Sequence, residues 1–406
     1  MKGTALIRRT ALGAALCSVL TGVHAEPSDH GRHHQRDARH IFVIVMENHG
    51  VSEIIGNTAD APFINRLIGD PAKATDGMPG VGVATQYYGV THPSLPNYLA
   101  LFSGSYQGIF DDCKAGATVY CAPEEFVPGS GDATDGHLAT VSQVANATNT
   151  AHLFYGENLV DQLEQRGKRW KAYMQAMPAV GYDGEYAPVI NGAPVKLYAQ
   201  KHNPFMYFAD IHSPNNPRLK NIVPFDDGAG KGLAADLNSG DVADFVWISP
   251  DQCHDMHGIS AGSARLAEAN GYLPGGTAAL CGYPDSGLDH GAIQLGDKFL
   301  QDTVGAIQSS KAWTEGSAIV IVWDEDDYAG AAGCCGSPEG VNHVSLGGAR
   351  APLIVITNGS APRRMEDHPL NHYALLAGIE DVLGLSCLEE TCRAKDVSRV
   401  SDLLTP

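Results

Sequence analysis

Three runs of apolar residues with no polar interruption lie at 41–45, 245–248 and 319–323. β-Branched and aromatic side chains dominate each run, so each predicts a strand that is buried on both faces. Such strands belong to an α/β sheet with helices on both sides. Shorter patterns predict strands at 170–174, 205–208 and 352–356, and helices at 158–166 and 290–309. No linker or internal repeat divides this alternation, which favours one domain over 40–406.

The residues around Ser94 predict the start of a helix. Pro93 and Pro96 restrict the backbone, and an apolar run at 98–102 ends before Gly104, a typical helix stop. Free amides at a helix N-terminus favour an anion, which makes Ser94 a candidate functional residue. The alternative is that Ser94 only caps the helix, as serine often does. The Gly-, Asp- and Thr-rich stretch from 105 to 150 is expected to be loop.

Carboxylates and an amide directly follow two of the long strands. Glu47 and Asn48 come after the first strand, and Asp324 and Glu325 after the third. Because ligands of open α/β sheets bind outside the carboxyl ends of the strands, we expect these groups to meet there. Their oxygens suit a divalent cation such as Mg²⁺, Ca²⁺, Mn²⁺ or Fe²⁺. The alternative, that each pair merely ends a strand and caps a helix, is less favoured for two clusters than for one.

The loop after the second long strand contains acids and imidazoles, among them Asp251, His254 and His257. Such groups can ligate metal, hold a phosphate or protonate a leaving group. Single histidines are more often structural, and the further candidates of that kind are His92, His202, His343 and His372. His343 is the best of these, because it follows Asp324 across a Gly- and Cys-rich loop. No G-x-S-x-G elbow is present, which argues against a Ser-His-Asp hydrolase.

The N-terminus has the features of an export signal. Lys2, Arg8 and Arg9 precede an apolar segment, and Val23-His24-Ala25 matches a small-residue cleavage site. We expect residues 1–25 to be a cleaved signal peptide, whose paired arginines permit twin-arginine export, and 26–39 to be a flexible His-rich terminus. No later run is long enough to be a transmembrane segment. The expected location is secreted or periplasmic.

The formal net charge is −19, and loss of the three basic residues of the signal would make it −22. Such a surface repels nucleic acid and anionic membranes, so no nucleic-acid partner is expected. An anionic substrate would need a local reversal of this field, for which a bound cation is the obvious candidate.

Of the nine cysteines, Cys17 lies in the expected signal and eight remain. An even number in an exported chain favours disulfides over a zinc site. The plausible pairs are Cys113–Cys121, Cys253–Cys281 and Cys387–Cys392, with adjacent Cys334 and Cys335 able to pair with each other.

Six segments, in order along most of the chain, carry a family resemblance. They are HIFVIVMENHG at 40–50, HPSLPNYLALFSG at 92–104, KHNPFMYF at 201–208, DMHG at 255–258, GSAIVIVWDEDDY at 316–328 and NHYALLAGIEDVLGL at 371–385. The chain resembles the bacterial phosphoesterase family that holds secreted acid phosphatases and phospholipases C, within the alkaline-phosphatase superfamily. Two departures are His254, where members often carry Asn, and Cys334-Cys335, which replaces a Gly-Gly-Phe-Tyr-Asp-His stretch of the phospholipases.

The resemblance implies a three-layer α/β/α sandwich with a mixed, mostly parallel central sheet, similar to alkaline phosphatase. It implies a divalent metal (Mg, Ca, Mn, Fe or Zn) at the carboxyl edge of the sheet. The implied metal ligands are Glu47, Asn48, Asp324 and Glu325. The implied catalytic residues are Ser94 as nucleophile with His257, Asp251 and His343, and the implied substrate-binding residues are Asn97, His92, His254 and His202.

The expected function is that of a secreted, metal-dependent phosphomonoesterase of acid-phosphatase or phosphoinositide-phosphatase type, acting through a phosphoseryl intermediate. Its partner would be a phosphorylated small molecule or a phospholipid headgroup. One alternative is a phospholipase C-type phosphodiesterase, although the chain resembles the shorter phosphatases. A more distant alternative is a non-catalytic, metal-binding surface protein.

Overall fold

The computed structural model describes residues 40–70, 73, 77–118, 121, 139–226, 231–284, 286–327, 330–395 and 397–406. The expected signal peptide at 1–25 and the His-rich segment at 26–39 lie outside the described residues and stay predictions. The assignment of 40–406 to one domain also stays a prediction.

The strands are β1 (Ile41–Met46), β2 (Val81–Ala84), β3 (Tyr87–Tyr88), β4 (Trp170–Met174), β5 (Tyr186–Ile190), β6 (Ala193–Ala199), β7 (Ile222–Pro224), β8 (Phe245–Ser249), β9 (Ala318–Trp323), β10 (Leu353–Thr357), β11 (Arg364–Glu366) and β12 (Leu370–Asn371). The helices are α1 (Val51–Ile54), α2 (Pro62–Ile68), α3 (Ser94–Ser103), α4 (Val141–Asn149), α5 (Leu159–Gln165), α6 (Ala209–His212), α7 (Leu233–Ser239), α8 (Ala261–Ala269), α9 (Ala278–Cys281), α10 (His290–Gln308), α11 (His372–Leu383) and α12 (Val397–Leu404). Short 3₁₀ turns include Gln200–His202, Pro204–Tyr207 and Val341–His343.

The central sheet has the strand order β11-β2-β10-β9-β1-β8-β4-β7. Within the described strands of this sheet, β10 is antiparallel to both neighbours and every other pair is parallel. The register pairs Met46 with Trp323 and Ile44 with Ile248, so β1, β8 and β9 end side by side. The residues that follow these three strands therefore emerge at the same carboxyl edge of the sheet, as the sequence predicted.

Both faces of the sheet are covered by helices. The odd-numbered residues of β1 pack into a hydrophobic core with α3, α5, α11 and α12. Its even-numbered residues pack into a second core with α2, α7 and α10. The expected α/β/α sandwich with a mixed, mostly parallel sheet is thus confirmed. In the part of the chain that the structure describes, no helix combines the length and apolarity needed to cross a membrane.

Two elements differ from the sequence-based expectation. Residues 205–208 were expected to form a strand, but Pro204–Tyr207 is a 3₁₀ turn that begins with proline and is buried on the core side. Within 105–150, expected to be loop, α4 forms because Thr140 caps it and its Oγ1 accepts the Gln143 N–H. The cysteines pair as Cys113–Cys121, Cys253–Cys281, Cys334–Cys335 and Cys387–Cys392.

Candidate active site

Four of the predicted residues lie together where β1 and β9 end. Glu47, Asp324 and Glu325 are fully buried. One oxygen of Asp324, Oδ1, accepts the main-chain N–H of Asn48 at 3.2 Å and that of Glu325 at 2.8 Å. Parallel pairing of the two strands therefore brings both polar pairs into one buried cluster.

The hydroxyl of Ser94 points into this cluster. Its Oγ donates to Glu47 Oε2 at 2.8 Å and also lies 3.3 Å from Glu325 Oε1. Helix α3 is preceded by Pro93, no side chain of that cap residue bonds to the helix, and Asp112 Oδ1 instead accepts the Leu95 N–H at 2.9 Å. The alternative that Ser94 merely caps its own helix is therefore wrong.

A largely buried lysine, whose side chain is 12% exposed, faces the same hydroxyl. The ammonium of Lys201 lies 3.1 Å from Ser94 Oγ, 3.0 Å from Asp112 Oδ2 and 3.5 Å from His257 Nε2. Burial by itself lowers the pKa of Lys201, but Asp112 and Glu47 outweigh it and hold that pKa well above the usual value. Lys201 thus stays a cation. Neither Lys201 nor Asp112 was expected at the site, because a lone lysine in KHNPFMYF has no diagnostic spacing.

His202 lies between two carboxylates on the other side of Glu47. Its Nε2 is 3.1 Å from Glu47 Oε1, its Nδ1 is 3.3 Å from Asp255 Oδ2, and its ring stacks on Tyr98. Burial lowers the pKa of His202, but Glu47 and Asp255 reverse this and raise it to about 9. Burial raises the pKa of Asp255 to about 7. Like Asp112, Asp255 is an acid of this site that was not among the residues predicted to act there.

His257 lies on the far side of Lys201. Its Nδ1 is 2.9 Å from the Gly258 carbonyl oxygen and 2.9 Å from the Tyr283 hydroxyl. Because a carbonyl oxygen only accepts, Nδ1 carries the hydrogen and Nε2 has a lone pair for Lys201. Burial and the charge of Lys201 lower the pKa of His257 to about 3, so the ring is neutral. This contrasts with the expectation of a histidine that protonates the leaving group.

His92 and Asn97 both contact Glu325, on the Oε2 atom of its carboxylate. His92 Nδ1 is 2.6 Å from Glu325 Oε2. The Asn97 amide accepts from the N–H groups of Val90 and Thr91 and donates to the Thr91 and Pro93 carbonyls. Asn97 therefore braces the loop that leads to Ser94, and its amide is already occupied by these bonds rather than presented to a phosphate.

Three residues that were predicted to act at the site have their described contacts elsewhere: Asp251, His254 and His343. Asp251 Oδ1 accepts the N–H groups of Cys253 and His254 and lies 2.9 Å from His254 Nδ1, so this pair shapes a turn. The His343 side chain is 89% exposed and pairs with Glu339 at 2.8 Å. The expectation that Asp251, His254 and His343 act directly at the site is therefore not supported, because their side chains have other partners.

The donor set at Glu47, Asn48, Asp324 and Glu325 fits a divalent cation. Asp324 Oδ2 is buried without a hydrogen bond within the described residues, whereas Glu47 Oε1 pairs with His202 Nε2 at 3.1 Å. Burial and two neighbouring carboxylates hold the pKa of Asp324 well above its usual value. Asn48 Oδ1 lies 3.0 Å from Glu47 Oε2 and 3.2 Å from Glu325 Oε1. If the Asn48 amide were rotated by 180°, its nitrogen would donate hydrogen bonds to both carboxylates. In the present orientation three oxygens converge, which is the arrangement that a hard cation requires.

Two other groups of ligand-type residues occur among the described residues. They are Asp111, Cys113 and His152, and Glu366, Asp367 and His368. The sulfur of Cys113 is in a disulfide and cannot ligate, and the second group is at the surface with Glu366 bonded to His368.

The chain matches the phosphoesterase family over residues 79–386, and it belongs to that family. A probable acid phosphatase of Kluyveromyces lactis is 22% identical over 81% of this chain and 60% of its own length. A phosphatidylinositol-3-phosphatase of Mycobacterium tuberculosis is 23% identical over 85% of this chain and 77% of its own length. The chain thus spans less than two thirds of the K. lactis relative.

Among solved structures, a protein in the alkaline phosphatase superfamily from Vibrio parahaemolyticus aligns with a TM-score of 0.48 and 12% identity. The alignment covers 89% of this chain and 70% of that chain.

Proposed function

We propose that this chain is an exported, metal-dependent phosphomonoesterase of the acid-phosphatase type, with Ser94 as its nucleophile. The observation that carries the proposal is the position of the Ser94 hydroxyl, which lies between Glu47 and Glu325 on one side and the Lys201 ammonium on the other. A serine with only a structural role would not need three ionisable groups around its oxygen. Membership of the phosphoesterase family and the names of both relatives support the same chemistry.

Ser94, Glu47 and Lys201 have separate roles in phosphoryl transfer. Ser94 Oγ forms a bond to phosphorus while the bond from phosphorus to the substrate alcohol breaks. The Ser94 proton leaves toward Glu47 Oε2, which already accepts it at 2.8 Å, and the departing alkoxide takes up a proton from water. The Lys201 ammonium offsets the negative charge on the phosphoryl oxygens. Water then cleaves the phosphoserine and regenerates Ser94.

Glu47, Asn48, Asp324 and Glu325 would hold the metal. A divalent cation bound there would acidify the Ser94 hydroxyl and offset phosphoryl charge. His202 lies against Glu47 and orients that carboxylate, and His92 and Asn97 do the same for Glu325. Four disulfides support the export that the N-terminal sequence predicts.

Hydrolysis of p-nitrophenyl phosphate and of its phosphorylcholine diester tests this function. The monoester should be hydrolysed, activity should disappear on chelation, and a divalent metal should restore it. Ser94→Ala should lower the monoester rate by several orders of magnitude, up to about 10⁶-fold, as removal of a nucleophile does. Ser309→Ala, at an exposed serine after α10, is the matched control.

Trapping the intermediate identifies the nucleophile. Acid quenching with labelled substrate should leave label on the Ser94 peptide of the wild type and none on Ser94→Ala. Wild-type rates in a metal-loaded Ser94→Ala variant would show that the nucleophile is another group. Turnover of the diester alone would indicate a phosphodiesterase, and monoester activity would justify a screen of phosphoinositides.

A further inference from the structure

Tyr283 contacts the site from a segment outside the sheet. It follows α9, and its hydroxyl lies 2.9 Å from His257 Nδ1 although its side chain is half exposed. The half-exposed Tyr283 therefore has a specific partner for its hydroxyl in the partly buried His257 imidazole.

The connection between this segment and the His257 loop is rigid. A disulfide joins Cys253 in that loop to Cys281 at the end of α9. Main-chain bonds run from the Ile259 N–H to the Cys281 carbonyl and from the Tyr283 N–H to the Ile259 carbonyl, both at 2.9 Å. Tyr283 is therefore held in place by a covalent link and two backbone bonds next to His257.

The Tyr283 ring also packs directly over Gly258. A Cβ at Gly258 would lie 3.2 Å from Tyr283 Cδ1 and 3.0 Å from Asp289 Oδ2. The φ of Gly258 is +75°, a conformation that favours glycine. The absence of a side chain at Gly258 lets the tyrosine reach His257.

The orientation of the His257 ring determines whether its Nε2 can accept a hydrogen bond from the Lys201 ammonium. Lys201 has three N–H donors, and its hydrogen-bond partners among the described residues are Asp112 Oδ2, Ser94 Oγ and His257 Nε2. The third can accept only if the imidazole hydrogen is on Nδ1. Both the Gly258 carbonyl and the Tyr283 hydroxyl oxygen accept from that hydrogen.

We propose that Tyr283 is a positioning residue of the phosphatase site: it holds the His257 ring with the Nε2 lone pair toward Lys201, and so fixes the ammonium on Ser94. This rests on the proposed function insofar as Lys201 and Ser94 act on a phosphate ester. The contact from Tyr283 to Ser94 is indirect, through His257 and Lys201.

A double-mutant cycle tests the proposal. Tyr283→Phe should lower kcat on p-nitrophenyl phosphate about fivefold, the worth of one hydrogen bond, with KM changed less than about twofold. In a His257→Ala background the same change should have almost no further effect, because the two residues act in series. Tyr272→Phe, at an exposed tyrosine after α8, is the control and should match the wild type.

An equal loss in both backgrounds, or no loss at all, would overturn the proposal. Nitrogen NMR of labelled histidine gives a readout independent of turnover. The wild type should show His257 as the Nδ1–H tautomer, and Tyr283→Phe should show a larger share of the Nε2–H form, because only the Gly258 carbonyl then accepts from Nδ1. If the wild type hydrolyses no phosphate ester, the proposed function fails and the NMR result alone decides: a changed tautomer population supports the positioning role, and an unchanged one refutes it.

Discussion

Glu380 is a buried carboxylic acid of α11, the helix that packs against α3, which begins at Ser94. Its side chain is 3% exposed, and Oε1 has no hydrogen-bond partner within the described residues. Helix α11 packs against α3, and its first residue, His372, contacts the Asp324 carbonyl through Nε2 at 2.5 Å. Burial raises the pKa of Glu380 from 4.5 to about 8, although Thr391 and Leu388 lower it. Ionisation of Glu380 should therefore weaken the helix that supports the site.

The sign follows from the two pKa values. In the folded chain the acid keeps its proton up to about pH 8, whereas in the unfolded chain it loses it above pH 4.5. The stabilising contribution of the protonated Glu380 is complete below pH 4.5, the pKa in the unfolded chain. It is lost as the pH rises through about 8, the pKa in the folded chain. At 1.36 kcal/mol per pKa unit, the loss is about 1 kcal/mol at pH 5, about 3 at pH 7 and about 5 well above pH 8.

Glu380→Gln keeps the shape of the neutral acid and cannot ionise. Its free energy of unfolding should exceed that of the wild type by about 2 kcal/mol more at pH 7 than at pH 5, a difference that cancels any constant cost of the amide. Urea unfolding followed by circular dichroism at pH 5, 6, 7 and 8, with metal held constant, measures it. Glu315→Gln, at an exposed glutamate, is the control for loss of one surface charge. Parallel curves for Glu380→Gln and wild type would refute the reasoning.

Three further predictions concern the site. Lys201→Met should lower kcat about 100-fold by removing the cation beside Ser94, while Lys298→Met at the surface should not; equal rates for the two variants would contradict the role of Lys201. His343→Ala should leave kcat/KM within about twofold of wild type, because this side chain is 89% exposed, and a loss beyond tenfold would return it to the site. Asp324→Asn should raise the metal concentration required for half activity at least about tenfold in a titration of chelated protein; an unchanged titration would place the metal elsewhere.

The strands and their polar ends are local features of the sequence. The runs that became β1, β8 and β9 are apolar without interruption, and that pattern arises because both of their faces are buried. The side chains that follow a parallel strand must emerge at its carboxyl edge, so the pattern alone places Glu47, Asn48, Asp324 and Glu325 together. The flanking prolines and Gly104 likewise place Ser94 at a helix start.

Other features depended on contacts between distant parts of the chain. Lys201 is 107 residues from Ser94 and 89 from Asp112, and Tyr283 reaches His257 through a disulfide-linked segment. No periodicity marks such residues, since their role comes from what lies against them. The same reason explains the turn at Pro204–Tyr207, whose apolar residues are buried without being a strand.

The sequence by itself therefore determined the α/β class, the carboxyl edge that holds the site and the residues at the strand ends. Only the tertiary structure decided that Lys201 stays charged beside Ser94, that His257 is neutral, and that His343 faces solvent. Strand formation follows from residues that are neighbours in the chain. Charge state and orientation depend on burial and on the nearest charges, which the fold assembles from distant segments.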